Sequence, residues 1–388
     1  MQYVTDPRSG NQLSALGFGC MRFPRDKALT EELIVSAVKA GVNYFDTAYL
    51  YSNSEATLGA ILAKNDLRKG IHLATKLPHQ RCKTYEDFDK LFNEQLDRLK
   101  TDYIDYYLIH NISDPVAWDR LCDLGIREWI ATKKATGEIR QLGFSFHGAQ
   151  HRFFELLEAY DWDFCQIQYN YMNENYQAGR EGLQKAHQKG MPVIIMEPLL
   201  GGKLATGLPT KALRLFKQAD AQRSAAAWAL LWLWHQPEVS VVLSGMNSMA
   251  QLEDNLKTAS NAGAGVLSPQ EQAVFPPVVA SISEAYKVPC TGCNYCMPCP
   301  QGVNIPGCFA AYNTSYALGF IPGITQYLTG TGANHPEKQS GPKKCVKCRV
   351  CEAKCPQSIA IADELTAVLK RMEPFWFSFV LWVVNKIM

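Results

Sequence analysis

The chain has 388 residues, of which 47% are apolar and 20% charged, with a net charge of +2. Those values exclude a disordered or fibrous polymer and give no electrostatic ground for a nucleic-acid or anionic-membrane partner. Thirteen cysteines behind a polar first stretch, MQYVTDPRSGNQ, predict a cytoplasmic, reducing setting in which thiols stay free to bind metal.

The first predicted element is a hairpin with its turn at 6–11, placed to plug the bottom of a barrel. Up to about residue 262, short β-like apolar runs alternate with helical patterns, the mark of a parallel sheet covered by helices. Strands are read at 16–19, 43–46, 71–76, 104–110, 140–144, 164–168, 192–196 and 240–243. Between them, Thr30 is expected to cap a helix over 31–40 that Gly41 stops. Thr84-x-x-Asp87 opens a helix to Leu99 in capping-box fashion, and Gly137 and Gly190 end two more. Eight βα units predict an α/β fold, a (β/α)8 TIM barrel over residues 1–265.

A helical linker spans 266–288, begun by Ser268-Pro269 and expected to break or kink at Pro276-Pro277. Residues 289–361 form a small ferredoxin-like module whose middle, 330–342, reads as a surface loop. Its cysteines fall in two runs, Cys290-x2-Cys293-x2-Cys296-x2-Cys299-Pro300 and Cys345-x2-Cys348-x2-Cys351-x3-Cys355-Pro356. In such a pair, three thiolates of a run bind one cubane [4Fe–4S] cluster and the Cys before proline reaches across to the other. One cluster is therefore expected on Cys290, Cys293, Cys296 and Cys355, and a second on Cys345, Cys348, Cys351 and Cys299. Structural zinc is the competing assignment, because C-x2-C pairs also ligate zinc. Two four-Cys runs with trailing prolines fit clusters better. The first run has two residues, Met297 and Pro298, where the ferredoxin pattern has three, so Cys299 is the ligand that spacing defines least. Cys20, Cys82, Cys122, Cys165 and Cys308 stand outside the runs and read as small apolar residues.

Residues 362–388 are expected to form a helix and an apolar tail, FWFSFVLWVV at 375–384. Ten residues are well short of the ~20 that span a bilayer. The tail is expected to pack on the protein, with partner docking or membrane-surface contact as the alternatives.

Barrel chemistry gathers where strands end. The second strand ends at Asp46, with Tyr51 five residues on; the third ends at Lys76 and the fourth at His110. Singly, each residue has an ordinary structural explanation. Together they suit carbonyl reduction. A phenol with pKa near 10 is a poor acid at neutral pH, and a neighbouring ammonium lowers that barrier by stabilising the phenolate. Lys76 would do this, kept charged by Asp46, while His110 orients the carbonyl.

Residues 1–262 resemble the aldo-keto reductase family. The residues that carry the likeness are Gly17-Phe18-Gly19, Phe45-Asp46-Thr47-Ala48 with Tyr51, Glu55, Gly59, Lys76, His110, Gly143-Phe144-Ser145 and Gln166. Pro198-Leu199 with Gly201-Gly202 and SGMNSMAQLEDN, ending at Asn255, complete it. The resemblance implies catalysis by Asp46, Tyr51, Lys76 and His110. It places the nicotinamide at Ser145 and Gln166, with Met196 where an aromatic commonly stacks. It further implies Leu199, Gly201 and Lys203 along the diphosphate, and Ser244, Gly245, Met246, Gln251 and Asn255 at the adenosine end. Gly245 and Gln251 stand where cations usually grip a 2′-phosphate, so NADPH and NADH are both retained as cofactors. The appended cysteine module resembles a bacterial and archaeal branch of iron–sulfur aldo-keto reductases.

A nicotinamide passes two electrons as hydride and each cluster passes one; a flavin usually mediates, though no flavin signature is present. The expected function is an NAD(P)H-linked oxidoreductase acting on a small-molecule carbonyl or related substrate, with electron transfer through two clusters. The alternative is an electron-transfer or redox-sensing protein whose barrel is a non-catalytic scaffold for a redox partner.

Overall fold

Successive residues of a strand point to opposite faces, so parity decides which side chains enter a barrel. In the computed structural model, which describes residues 1–331, 339–375 and 377, the chain divides into two compact units. The first is Met1–Leu199 with Ala226–Gln272; the second is Leu200–Ala225 with Ala273–Met388.

In the first unit, β1 (Tyr3–Thr5) and β2 (Gln12–Ser14) pair antiparallel. Eight strands then close a parallel barrel: β3 (Leu16–Gly19), β4 (Tyr44–Asp46), β5 (His72–Leu77), β6 (Ile104–Ile112), β7 (Ile139–Phe146), β8 (Phe164–Gln168), β9 (Val193–Met196) and β10 (Val239–Ser244), which returns to β3. Strand ends fall within two residues of those read from the sequence. Tyr44, Ala74, Tyr106, Leu108, Phe164, Ile194, Val241 and Leu243 fill the interior with Leu13 of the hairpin. The hairpin turn is tied to this core by Tyr106, whose hydroxyl donates to Asp6 Oδ2 at 2.7 Å. Two residues beyond Tyr44, Ala74, Leu108, Phe164 and Ile194 come Asp46, Lys76, His110, Gln166 and Met196. Parity thus carries these five onto the same inward face, one layer higher.

Two local expectations are corrected. Thr30 does not cap its helix. That helix is Lys27–Lys39, and Asp26 caps it by accepting from the Ala28 and Leu29 N–H groups. Thr30 lies buried inside, its hydroxyl donating to the Asp26 carbonyl. Asp26 starts the helix a turn earlier because a carboxylate also suits the N-terminal dipole. Likewise, Pro276 and Pro277 do not break a helix; they open one, Phe275–Ala285. Proline is tolerated in a first turn, where its missing N–H has no partner to lose. The single turn Pro269–Gln272 precedes it, begun by a reciprocal bond pair between Ser268 and Glu271.

Glu55 and Gly59 lie on the helix Ser54–Lys64. Glu55 is buried and accepts from Thr75, Gln95 and Arg98, which fastens its helix to Glu86–Leu99. At Gly59 an added Cβ would stand 2.3 Å from the Arg98 carbonyl oxygen and 2.6 Å from Leu99 Cα, both backbone. Gly59→Ala is therefore expected to lower unfolding free energy by about 1–3 kcal/mol through overpacking, despite alanine's better helix propensity. Chemical denaturation of the two proteins checks this, and an unchanged or raised midpoint would contradict it.

The second unit is helical: among its described residues no strand forms. Its core gathers Val288, Val303, Phe309, Leu365, Val368 and Met372. Between the cysteine runs lie two helices that the sequence patterns did not signal, Ile305–Ala317 and Phe320–Thr331. Asn304 caps the first by accepting from Gly307 N–H, with Pro306 in its opening turn. Gly330 and Thr331, read as loop, end the second helix; residues 332–338 lie outside the described residues. Helix Ile361–Met372 comes after the second run. The apolar tail 375–384 lies outside the described residues except for Phe375 and Phe377. Among the described residues no helix is long and apolar enough to cross a membrane.

Candidate active site and cluster sites

The ends of β4, β5 and β6 bring three of the four expected catalytic residues side by side. Lys76 Nζ donates to both carboxylate oxygens of Asp46, at 2.6 and 2.7 Å, and to the Thr47 carbonyl at 2.7 Å. Three ammonium hydrogens thus meet three acceptors. Lysine and aspartate side chains are 1% and 5% exposed, so the pair is nearly dry. Burial lowers the Lys76 pKa, and the Asp46 charge opposes that shift. Tyr51 completes the group from the loop beyond β4. Its ring centroid is 5.0 Å from Lys76 Nζ, within cation–π range, and 5.8 Å from the His110 ring, edge to face. An acid, its ammonium partner, a phenol and an imidazole therefore share one mouth.

His110 is buried, and its Nδ1 has no hydrogen-bond partner. Burial, with the Lys76 charge second, holds its pKa well below the usual imidazole range. It is thus neutral at physiological pH and suited to hydrogen bonding rather than to carrying charge. His79 and His147 nearby are likewise depressed by burial, each to about 4. An unfolded chain protonates these imidazoles near pH 6.5, whereas the folded chain refuses the protons until much lower pH. Folded pKa values lie below unfolded ones, so their contribution to stability is present above pH ~6.5 and is lost as pH falls toward 4. Thermal melts followed by tryptophan fluorescence should show the midpoint declining through that window. A flat profile from pH 7 to 5 would contradict the assignment.

Two of the expected nicotinamide residues already have partners within the barrel. Ser145 Oγ accepts from the Asn111 N–H at 2.8 Å, and Gln166 donates to Asp46 Oδ2 at 2.9 Å. Met196 sits opposite Gln168 in the β8–β9 register. Beyond it the backbone turns left-handed at Glu197 and Leu200, with φ of 54° and 47°, flanking Leu199. At the end of β10, Asn255 donates to Ser244 Oγ at 2.7 Å, and Met246 is buried beyond Gly245. Gln251 Oε1 accepts from Asn247 N–H, so this amide braces the start of helix Met249–Ala259. Gly201 and Lys203 belong to the second unit. There the Lys203 ammonium donates to the Cys290 carbonyl and stands 5.2 Å from the Tyr286 ring centroid.

Sequence reasoning missed Gln168. It is fully buried, and neither amide atom has a partner. Its signal was available: it lies two residues after Gln166, hence on the same face of β8.

In the second unit, Cys290, Cys293, Cys296 and Cys355 line one pocket that opens to solvent, beside Thr291 and Phe309. This is the crossed set expected from the run spacing, with Cys355 reaching over from the second run. Burial, and then the Cys290, Cys293 and Cys355 thiols, push the Cys296 pKa up to about 12. Thiolates so placed repel unless a cationic centre lies among them. A second group forms about Cys351, whose pKa is raised by burial foremost and also by Cys299 and Cys345. Left-handed backbone recurs at equivalent places, Gly292 and Asn294 in the first run and Lys347 and Arg349 in the second. Among the described residues, no three His, Cys, Asp or Glu side chains converge as a single-ion site requires. Outside the runs, Cys20, Cys82, Cys165 and Cys308 are buried as expected, and Cys122 is half-buried.

Comparison with known proteins finds two families along the chain. Residues 15–263 match the Aldo/keto reductase family, and residues 289–360 match the 4Fe-4S dicluster domain. The uncharacterized oxidoreductase YrpG of Bacillus subtilis (strain 168) is 25% identical over 329 residues, covering 74% of this chain and 99% of that protein. A 6-dehydroglucose reductase of Novosphingobium aromaticivorans is 27% identical over 280 residues, covering 63% of this chain and 86% of its own length. Among solved structures, the holo form of aldo-keto reductase AKR11C1 from Bacillus halodurans is similar, with a TM-score of 0.60 and 25% identity. The similarity covers 72% of this chain and 96% of that one. With its closed barrel and paired cysteine runs, this chain is an oxidoreductase that belongs to the aldo/keto reductase family and carries a C-terminal 4Fe-4S dicluster domain.

Proposed function

We propose that the barrel mouth reduces a carbonyl or related group of a small molecule, with Tyr51 as proton donor. The observation that carries this reading is the dry Asp46–Lys76 pair set 5.0 Å from the Tyr51 ring centroid. When bound, a nicotinamide supplies hydride to the carbonyl carbon and each [4Fe–4S] cluster supplies or accepts one electron. Tyr51 passes its hydroxyl proton to the oxygen as negative charge grows there. Lys76 stabilises the resulting phenolate through a low-dielectric gap, which makes the phenol a stronger acid. Asp46 keeps the ammonium charged despite its burial. His110, held neutral, donates a hydrogen bond that orients the carbonyl and shares its developing charge. Gln168, with both amide atoms unpaired, is available to a polar group of the substrate.

Ser145 and Gln166 are assigned to the nicotinamide amide, and Ser244 to Asn255 to the adenosine end. Neither Gly245 nor Gln251 can neutralise a 2′-phosphate, so NADH and NADPH are both accepted in this reading. The cluster ligands are assigned as Cys290, Cys293, Cys296 and Cys355 for one cubane, and Cys299, Cys345, Cys348 and Cys351 for the other. Tyr51→Phe is the direct test. It removes one oxygen and should cut kcat for carbonyl reduction by about 10²–10⁴, the worth of general acid catalysis, with cofactor affinity retained. NAD(P)H-dependent turnover equal to wild type in Tyr51→Phe would overturn the proposal.

A further inference from the structure

The two cysteine runs differ in what surrounds them. Residues 290–299 contain no charged side chain, whereas 343–354 contain Lys343, Lys344, Lys347, Arg349 and Lys354 against the one acid Glu352. Lys343 pairs with Glu373, and Arg349 with Glu352 and Asp363. Lys344, Lys347 and Lys354 form no ion pair among the described residues and are exposed. From 343 to 350 every residue but Cys345 is exposed. Val346 and Val350 are 62% and 46% exposed, and Cys348 lies in the open between them. Lys347 and Arg349 hold φ of 57° and 58°, where the first run has Gly292 and Asn294. Left-handed backbone crowds the Cβ of any L residue against the following carbonyl oxygen, so glycine and asparagine are the residues that adopt it readily. Backbone preference therefore does not account for lysine and arginine there.

We propose that the 343–354 loop is the docking surface for an acidic one-electron carrier protein, which exchanges electrons with the second cluster beside its exposed ligand Cys348. The proposal rests on the assignment of Cys299, Cys345, Cys348 and Cys351 to that cluster. One electron leaves the reduced carrier and enters the cluster, so the carrier is oxidised by one electron and the cluster reduced by one; no bond forms or breaks. The unpaired lysines steer a negative surface to the loop, and the two valines let it close to van der Waals contact. A small apolar centre with a charged rim is the form that weak, rapidly exchanging redox contacts take. The same cations would attract an anionic lipid surface. The exposed cluster ligand at the centre of the patch favours the protein carrier, because electron exchange needs that close approach.

The test uses the full chain, loaded with clusters anaerobically and checked by iron content and low-temperature EPR. Stopped-flow absorbance measures the second-order rate of electron exchange with a reduced acidic [2Fe–2S] ferredoxin, at low and high salt. In Lys344→Glu/Lys354→Glu the low-salt rate should fall by about tenfold or more and its salt dependence should flatten, with iron content unchanged. Lys344→Gln/Lys354→Gln should give a smaller fall in the same direction, and serves if charge reversal lowers the iron content. Exchange with cationic cytochrome c should not slow. Unchanged ferredoxin rates in iron-replete variants would overturn the docking proposal alone. So would unchanged rates together with lysine-dependent binding to phosphatidylserine vesicles, which would make the patch a membrane contact. A wild-type protein that retains no iron would overturn the cluster assignment beneath it.

Discussion

Replacing Lys76 with methionine is expected to lower kcat for carbonyl reduction by about 10²–10⁴ while KM changes little. Methionine keeps much of the side-chain length but removes the charge 5.0 Å from the Tyr51 ring centroid. On the proposed mechanism, the phenolate left by proton transfer then lacks the ammonium beside it, and Tyr51 becomes a poorer donor. The change also strands Asp46, which loses two bonds from the ammonium and, among the described residues, keeps the Gln166 donor. An unpaired buried carboxylate costs about 3–5 kcal/mol, so Lys76→Met alone should be clearly less stable. Lys76→Met/Asp46→Asn separates the two effects. Removing both charges should restore most of the stability without restoring turnover. Steady-state kinetics with thermal melts of both variants decide the matter. Full turnover in a folded Lys76→Met protein would remove the lysine from the mechanism.

The second large effect concerns Cys355. By sequence it belongs to the second run, yet it lines the cavity of the first, with Cys290, Cys293 and Cys296. Cys355→Ala is therefore expected to empty the first cluster site and spare the second. Iron per chain should fall from about eight toward about four, one cubane's worth. Alkylation of the anaerobic variant followed by peptide mapping should label Cys290, Cys293 and Cys296 and leave Cys299, Cys345, Cys348 and Cys351 protected. Labelling of Cys345, Cys348 and Cys351 with Cys290, Cys293, Cys296 and Cys299 protected would mean that each run holds its own cluster without crossing.

Much of the site was legible because it depends on periodicities that a chain carries openly. Asp46, Lys76 and His110 stand where three successive strands end, so they could be placed at one mouth before any contact was known, whereas Gln166 was implied only by the family resemblance. Cysteine spacing behaved in the same way, since three thiols in a short loop can hardly avoid one another. Cap and break signals were less dependable. Thr30 was read as the helix starter, but the Asp26 carboxylate accepts from the free Ala28 and Leu29 N–H groups and begins the helix a turn earlier. Pro276-Pro277 reads as a break or as a beginning, depending on whether preceding helix exists to be broken.

By itself the sequence determined the eight-stranded barrel and the gathering of Asp46, Lys76 and His110 where its strands end, because each is written in local spacing that backbone geometry converts directly into direction. Only the tertiary structure decided that Leu200–Ala225 belongs with the cysteine-bearing unit, that Lys203 is spent on the Cys290 carbonyl, and that Gln168 is buried with nothing to bond. Each of these depends on which distant groups come within a hydrogen bond's length, and chain closure over scores of residues settles that without leaving any local periodicity to read.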